Sequence, residues 1–184
     1  MTSRGTEYAV IATFDSSAQA EQAANDLMDW EKTNPDISLG AIDVLAKNGK
    51  GEIKTRSYGA RNTGKGTKVG IGIGVVAAMI SGGLTLIPTA IGGAMVGAAA
   101  GSLSRKGIGL TDAERLQLNS DLDGGCAAIV VMCDDAEGKA ITDYLALEGG
   151  RPLSHPIDSA SLDAAAGVAD SESQRPSSSE APEL

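Results

Sequence analysis

The chain has 184 residues, a formal net charge of −9 and only five aromatic side chains. With so few aromatic residues, any globular core must be built from small aliphatic side chains. The length suits one ordinary domain with an additional part. Residues 1–7 show no apolar segment before a cleavage site, so we expect no secretory signal and a cytosolic chain.

The first part of the chain predicts a strand followed by a helix. Residues 8–14 form an uncharged, mostly apolar run, which suits a buried strand. Ser16 and Gln19 resemble a capping box, and small or apolar residues then recur at helical spacing, namely Ala20, Ala23, Ala24 and Leu27. We therefore expect an amphipathic helix from residue 17 to about residue 31, stopped by Asn-Pro-Asp at 34–36.

A β-hairpin is predicted next. Apolar and other residues alternate over residues 42–47, Asn48-Gly49 supplies a turn, and residues 52–57 form the second strand. The second strand is polar.

The most unusual stretch consists of thirty-six residues, 69–104, without one ionisable side chain. Each glycine in a helix costs about 1 kcal/mol relative to alanine, so a glycine-rich stretch needs a compensating gain such as close helix packing. The small residues are spaced by four, namely Gly66, Gly70, Gly74, Ala78 and Gly82, then Gly93, Gly97 and Gly101. Breaks at residues 81–83 and 88 divide the stretch. We therefore predict a helical hairpin over residues 65–106 with a glycine zipper on each arm.

The rest of the chain predicts a helix, a strand, a helix and a weak edge strand. Thr111 and Glu114 indicate a capped helix that ends near residues 123–125. Residues 126–132 form an apolar strand, and residues 136–147 a helix with three inward side chains: Ile141, Tyr144 and Leu145. Residues 151–157 form an edge strand weakened by Pro152 and Pro156.

The chain therefore divides into four parts. Residues 1–64 and 107–157 form the two halves of one α/β domain, and the 65–106 hairpin is inserted between them. Residues 158–184 carry six acids against Arg175 alone and almost no large apolar side chain, so we expect an acidic, disordered tail.

Strand, helix, hairpin, helix and strand is the order of a ferredoxin-like sandwich, here of the α+β class with the helical hairpin inserted. Together with Gly97-Ala-Ala-Ala-Gly101 and Gly107-Ile-Gly109, this order resembles the DUF1269 family of bacterial and archaeal proteins over about residues 6–157. The resemblance implies a membrane-associated protein whose role is not established, and it carries over no catalytic residue. The polar 52–57 strand departs from this pattern, because the corresponding ferredoxin-like strand is central.

Positive charge gathers around the predicted hairpin. Residues 47–68 contain seven lysines and arginines against Glu52. In a membrane, such flanks favour the cytoplasmic side and contact with anionic headgroups, and the residues we expect to make that contact are Arg61, Lys65, Lys68, Arg105 and Lys106. Alternatively, Lys47, Lys50, Lys54 and Arg56 only solubilise an exposed hairpin. Nucleic-acid binding is not expected, because only Tyr58 is present to stack on a base.

Enzymatic chemistry has little support in the sequence. Residues 59–65 fit the start of a phosphate-binding loop, but Gly66 stands where a metal-binding Ser or Thr is needed. His155, the only histidine, is expected in a solvent-exposed loop without a nucleophile at a recognisable spacing. Two pairs of acids are expected to be caps or solvated turns: Asp134 with Asp135, and Asp121 with Asp123. Cys126 and Cys133 are expected to be reduced thiols, and no residue spacing fits a metal.

The leading hypothesis is a non-enzymatic, homo-oligomeric protein without cofactors that associates with membrane lipid or acts as a scaffold. The domain is then expected at the cytoplasmic face of the membrane. One alternative is a soluble cytoplasmic assembly whose hairpins enclose an apolar compartment for lipid, quinone or protein cargo. A remote alternative is a nucleotide-binding switch.

Overall fold

The computed structural model describes residues 7–58 and 110–157, which form one antiparallel sheet with helices on both faces. The strands are β1 (Glu7–Phe14), β2 (Ile42–Lys47), β3 (Ile53–Tyr58), β4 (Ala127–Asp134) and β5 (Arg151–Ile157). The helices are α1 (Ser17–Thr33), α2 (Asp112–Asp123) and α3 (Asp135–Leu147). The strand order is β3-β2-β4-β1-β5, and all neighbouring strands are antiparallel. The predicted α+β class is confirmed, and we call this part of the chain the body.

Two of the three interior strands, β1 and β4, are the apolar runs that the sequence predicts to be buried. β4 lies between β1 and β2, and its residues from Ala127 to Cys133 are all buried. Because side chains alternate between the faces of a strand, β1 and β4 contribute side chains to two separate cores, one on each face of the sheet. Val10 and Phe14 lie on the α1 and α3 side, whereas Ala9 and Ile11 lie on the α2 side.

The helices begin at the predicted caps. The Ser16 hydroxyl accepts a hydrogen bond from the Gln19 backbone at 3.3 Å, and Thr111 and Glu114 form a reciprocal capping box. The predicted apolar stripe of α1, from Ala20 to Leu27, is buried. On α3, Tyr144 is only half-buried and stacks on Trp30 of α1, with ring centroids 4.8 Å apart.

The polar strand β3 lies at the edge of the sheet rather than in its centre. An edge strand tolerates polar residues, which explains the composition of residues 52–57. The turn before β3 extends beyond Asn48-Gly49. The Asn48 side chain accepts hydrogen bonds from the backbones of Lys50 at 2.9 Å and Glu52 at 3.0 Å, and the left-handed residue is Gly51, with φ 77°. β5 forms the other edge, as predicted from its prolines.

The predicted hairpin of residues 65–106 and the predicted tail of residues 158–184 lie outside the described residues. The domain boundaries at 64, 106 and 157 therefore stay predictions.

Gly150, in the connection between α3 and β5, offers a test of how that connection packs against β1 and α3. A Cβ there would lie 2.7 Å from Phe14 Cζ and 2.8 Å from the Leu145 carbonyl oxygen. We expect Gly150→Ala to lower the free energy of unfolding by about 1–3 kcal/mol, because the neighbours must shift. Urea denaturation measures this. Gly49→Ala is the control, since nothing lies within 4 Å of its Cβ position; equal stabilities of the two variants would contradict the packing.

Candidate functional site

The residues predicted to associate helices or to contact headgroups all lie between residues 59 and 109, outside the described residues. These are Gly66, Gly70, Gly74, Ala78, Gly82, Gly93, Gly97 and Gly101, together with Arg61, Lys65, Lys68, Arg105 and Lys106. The structure describes the two residues that flank this segment, Tyr58 and Leu110.

Helix α2 follows the segment, packs over β2 and β4, and reaches the edge strand β5 through side chains on one side of the helix. Its Glu114 carboxylate is 3.5 Å from His155 Nε2, and two turns later Asp121 is 3.9 Å from Arg151. Helix and strand therefore run in opposite directions. Leu110, one residue before the Thr111 cap, is buried in the core on this face.

All four points at which the described chain begins or ends lie at one end of the sheet. Glu7 starts β1 and is the register partner of Ile157, the last residue of β5. Tyr58 is the last residue of β3, and register pairs across β2 and β4 connect it to Val10 of β1. Val10 is three residues from Glu7, a distance of about 10 Å along β1. Leu110 lies at the end of α2 that contacts β5 near Ile157. We call this the junction end, defined by Glu7, Tyr58, Leu110 and Ile157.

His155 does not lie in a solvent-exposed loop, and that prediction is wrong. It lies within β5, and its side chain is only 16% exposed because α2 covers this face of the strand. Its Nε2 atom is buried and has no hydrogen-bond partner among the residues the structure describes. The two prolines within the strand, Pro152 and Pro156, suggest a loop locally, whereas the helix that approaches His155 is distant in sequence.

The Glu114 carboxylate connects the start of α2 to β5. Its Oε2 atom accepts hydrogen bonds from the backbone N–H and the hydroxyl of Thr111, both at 2.8 Å. These bonds hold the pKa of Glu114 below its usual value; burial opposes the shift, and His155 favours it. The geometry therefore stabilises the first turn after the segment.

A second carboxylate, Glu137, organises the junction end. It is buried, and its oxygens accept hydrogen bonds from the backbones of Ser38 at 2.7 Å and Asp134 at 3.2 Å. These bonds join the connection between α1 and β2 to the start of α3. Sequence reasoning missed Glu137, although Asp134 followed three residues later by Glu137 is a capping-box signal.

The basic residues of the β2–β3 hairpin do not form one continuous patch. Lys47 forms an ion pair with Asp123 at 2.5 Å, and Arg56 with Glu21 at 2.6 Å. Lys50 and Lys54 are exposed. Two of the four cations therefore connect β2 and β3 to α2 and α1.

The remaining candidates for chemistry occupy structural positions. Asp134 stands at the N-cap of α3, as predicted. Asp121 and Asp123 are neither caps nor solvated turn residues: they lie in the last turn of α2 and approach Arg151 and Lys47. Both cysteines are free, and Cys133 is buried. Within residues 7–58 and 110–157, no group of three His, Cys, Asp or Glu side chains could hold a metal.

The body thus defines a mixed α/β protein in which carboxylates stabilise helix starts and connections. A family model described as a protein of unknown function, DUF1269, matches residues 72–166. This is just over half of the chain, and the protein belongs to that family. The matched range runs from the uncharged stretch through α2, β4, α3 and β5, and it leaves out residues 7–58.

No curated protein and no solved structure matches the chain. None of the helices in the described ranges is long and apolar enough to cross a membrane.

The lowered pKa of Glu114 predicts a specific pH dependence. A carboxylate whose pKa is lowered on folding stabilises the folded state above its unfolded pKa, about 4.3, and this contribution is lost as the pH falls through the folded value. We expect Glu114→Gln to be less stable than the parent at pH 7 and to lose less stability than the parent on acidification. Urea denaturation between about pH 3 and 7 measures both, with Asp36→Asn, at an exposed carboxylate before β2, as control. Parallel stability curves for the parent and Glu114→Gln would contradict the assignment.

The two cysteines should differ sharply in reactivity. Burial, and then the nearby carboxylates of Glu137 and Asp134, raise the pKa of Cys133 to about 12, so its thiol stays protonated at pH 8. We expect Ellman's reagent to titrate one thiol in the folded parent and none in Cys126→Ser until urea is added. Rapid reaction of folded Cys126→Ser would contradict the burial of Cys133.

Proposed function

We propose that this protein is a non-enzymatic, self-associating protein whose 65–106 hairpin joins copies together, at a membrane surface or as a scaffold. The observation that carries the proposal is the uncharged stretch of thirty-six residues with small residues spaced by four. An apolar surface of that size must be covered, and small-residue stripes let helices approach closely.

The body supports this proposal because its described helices cover both faces of its sheet. α1 and α3 pack on one face and α2 on the other, giving two clusters of buried side chains. Among the described residues, the large apolar side chains that remain exposed are Leu116, Leu147 and Leu153. The uncharged stretch is therefore the strongest candidate for an apolar contact surface.

The positions of Tyr58 and Leu110 support a role for the basic flanks. Both residues lie at the junction end. In the sequence, Arg61 follows Tyr58 by three residues, and Lys106 precedes Leu110 by four. In our proposal, the flanking cations contact anionic headgroups on the cytoplasmic side when the hairpin meets lipid.

We also propose that the body is a ferredoxin-like sandwich with three additions. Without β3, the order is β2-β4-β1-β5, with α1 and α3 on one face. β3 then extends one edge, α2 covers the second face, and the glycine-rich hairpin is inserted between them.

A soluble homo-oligomer is the second candidate. The breaks at residues 81–83 and 88 leave arms shorter than the ~20 apolar residues that span a bilayer. In this form the hairpins pack against one another and enclose an apolar compartment for lipid, quinone or protein cargo.

Gly97→Leu tests the proposal. The larger side chain blocks close helix packing, so we expect loss of assembly in analytical ultracentrifugation and loss of liposome flotation, with the far-ultraviolet circular dichroism of the body retained. Retained assembly without flotation in the parent would favour the soluble form.

Gly49→Leu is the matched control, because it makes the same substitution at an exposed position with open space. If Gly97→Leu behaves like the parent and like Gly49→Leu in both assays, the proposal is wrong.

A further inference from the structure

The turn between β2 and β3 is held together by one residue, Asn48. Its Oδ1 atom accepts hydrogen bonds from the backbones of Lys50 at 2.9 Å and Glu52 at 3.0 Å, and its Nδ2 atom donates to the Glu52 carboxylate at 2.6 Å. The Asn48 backbone also bonds with Gly51 and Glu52, each at 2.9 Å. These partners fix the orientation of the amide, because the reversed amide would place donor against donor and acceptor against acceptor.

The same residue belongs to the only Asn-Gly pair in the chain. In such a pair, the backbone nitrogen of the glycine can attack the side-chain carbonyl carbon of the asparagine. A C–N bond forms, the C–Nδ2 bond breaks, and Nδ2 leaves as ammonia with the proton of the backbone N–H. Water then opens the cyclic imide at either carbonyl and gives aspartate or isoaspartate. Glycine favours the attack because it has no side chain to block it.

We infer that Asn48 is a site of spontaneous deamidation, that the closed turn protects it, and that the reaction disables the turn once it has occurred. The inference is independent of the proposed function, because it concerns only the β2–β3 hairpin.

Protection follows from the hydrogen bonds of the side chain. Attack requires the Asn48 carbonyl carbon to approach the Gly49 nitrogen, and the departure of Nδ2 requires it to leave the Glu52 carboxylate. The three side-chain bonds hold the amide across the turn instead. The reaction therefore proceeds through an opened turn, as other local opening reactions do.

The aspartate product disrupts the contact with Glu52. An oxygen acceptor replaces the Nδ2 donor, so two carboxylates stand where a hydrogen bond of 2.6 Å was, and like charges at that distance repel. Nearby lysines offset this little. Lys47 is already paired with Asp123, and the side chains of Lys50 and Lys54 are exposed, where solvent screens their charge.

The isoaspartate product changes the main chain itself. The chain then passes through the former side chain and gains one carbon atom, so the bonds across the turn cannot all form. The turn sets the register in which Lys47 faces Ile53, and among the described strands β3 pairs with β2 alone. Either product therefore loosens the start of this edge strand.

Peptide mapping by mass spectrometry measures the reaction in the full chain, incubated in mildly alkaline buffer with and without urea. We expect residue 48 to convert at least about tenfold more slowly in the folded parent than in urea. Glu52→Ala removes the acceptor of Nδ2, so we expect conversion in the folded state to be about fivefold faster or more. Glu52→Gln keeps a carbonyl acceptor, and its rate should lie between those of the parent and Glu52→Ala.

Gly49→Ala is the matched control for the chemistry. A Cβ at this position meets nothing within 4 Å, so the turn is retained, whereas the methyl group hinders the attack. We expect its conversion in urea to be at least about fivefold slower than that of the parent. Circular dichroism and urea denaturation check that each variant is folded before the folded-state rates are compared.

Asn48→Asp reproduces the aspartate product. We expect its folding equilibrium constant to fall about tenfold, and Asn48→Asp combined with Glu52→Gln to recover most of the loss, because the glutamine amide donates to the new carboxylate.

Protection in the folded parent, faster conversion of folded Glu52→Ala and the recovery by Glu52→Gln support the inference. Equal rates with and without urea, or no conversion in urea, overturn it. A folded Glu52→Ala that converts at the parent's rate overturns the protective contact, and an Asn48→Asp variant as stable as the parent overturns the effect on the turn.

Discussion

The pairing of β1 with β4 is the interaction on which the rest of the body depends. It joins the two halves of the chain through eight register pairs, from Glu7 with Asp134 to Phe14 with Ala127. β2 adds to one side of this pair and β5 to the other, so each half of the chain contributes to both cores. The cost of closing a loop grows slowly with its length, so a long segment can stand between the halves without preventing the pairing.

Local signals predict most of the body. The caps at Ser16 and Thr111 and the apolar runs of β1 and β4 are signals that depend only on residues close in sequence. The helices and strands begin and end close to where these signals predict. The turn after β2 is less well predicted, because its left-handed residue depends on how the Asn48 side chain bonds across the loop. Sequence therefore identifies elements better than it identifies their exact connections.

Long-range placement could not be predicted. The edge position of β3 follows from β4 pairing with β2, and the burial of His155 follows from α2 covering β5. Neither contact leaves a periodic signal in the residues concerned. Glu137 is an intermediate case, because its capping partner is local whereas its bond to Ser38 spans ninety-nine residues. The predicted association and headgroup residues lie outside the described chain, so the structure bears on them only through Tyr58 and Leu110.

The polar groups of the body are largely used within it. Glu114 and Glu137 accept backbone hydrogen bonds, and Asp123 and Glu21 pair with cations of the β2–β3 hairpin. Each of these four acidic residues therefore has a partner within the body.

The pairing of Glu7 with Ile157 at one end also determines how the body responds to mechanical load. Two antiparallel neighbours that are pulled apart from the same end separate one hydrogen-bonded pair at a time, whereas strands pulled from opposite ends must break many pairs together. Tension between the first strand and the tail would therefore peel β5 from β1, beginning at Ile157 and passing His155. That peeling would reach the contact between His155 and Glu114 before the contact between Arg151 and Asp121, so after β5 itself the first turn of α2 is the next part of the body to feel a pull on the tail.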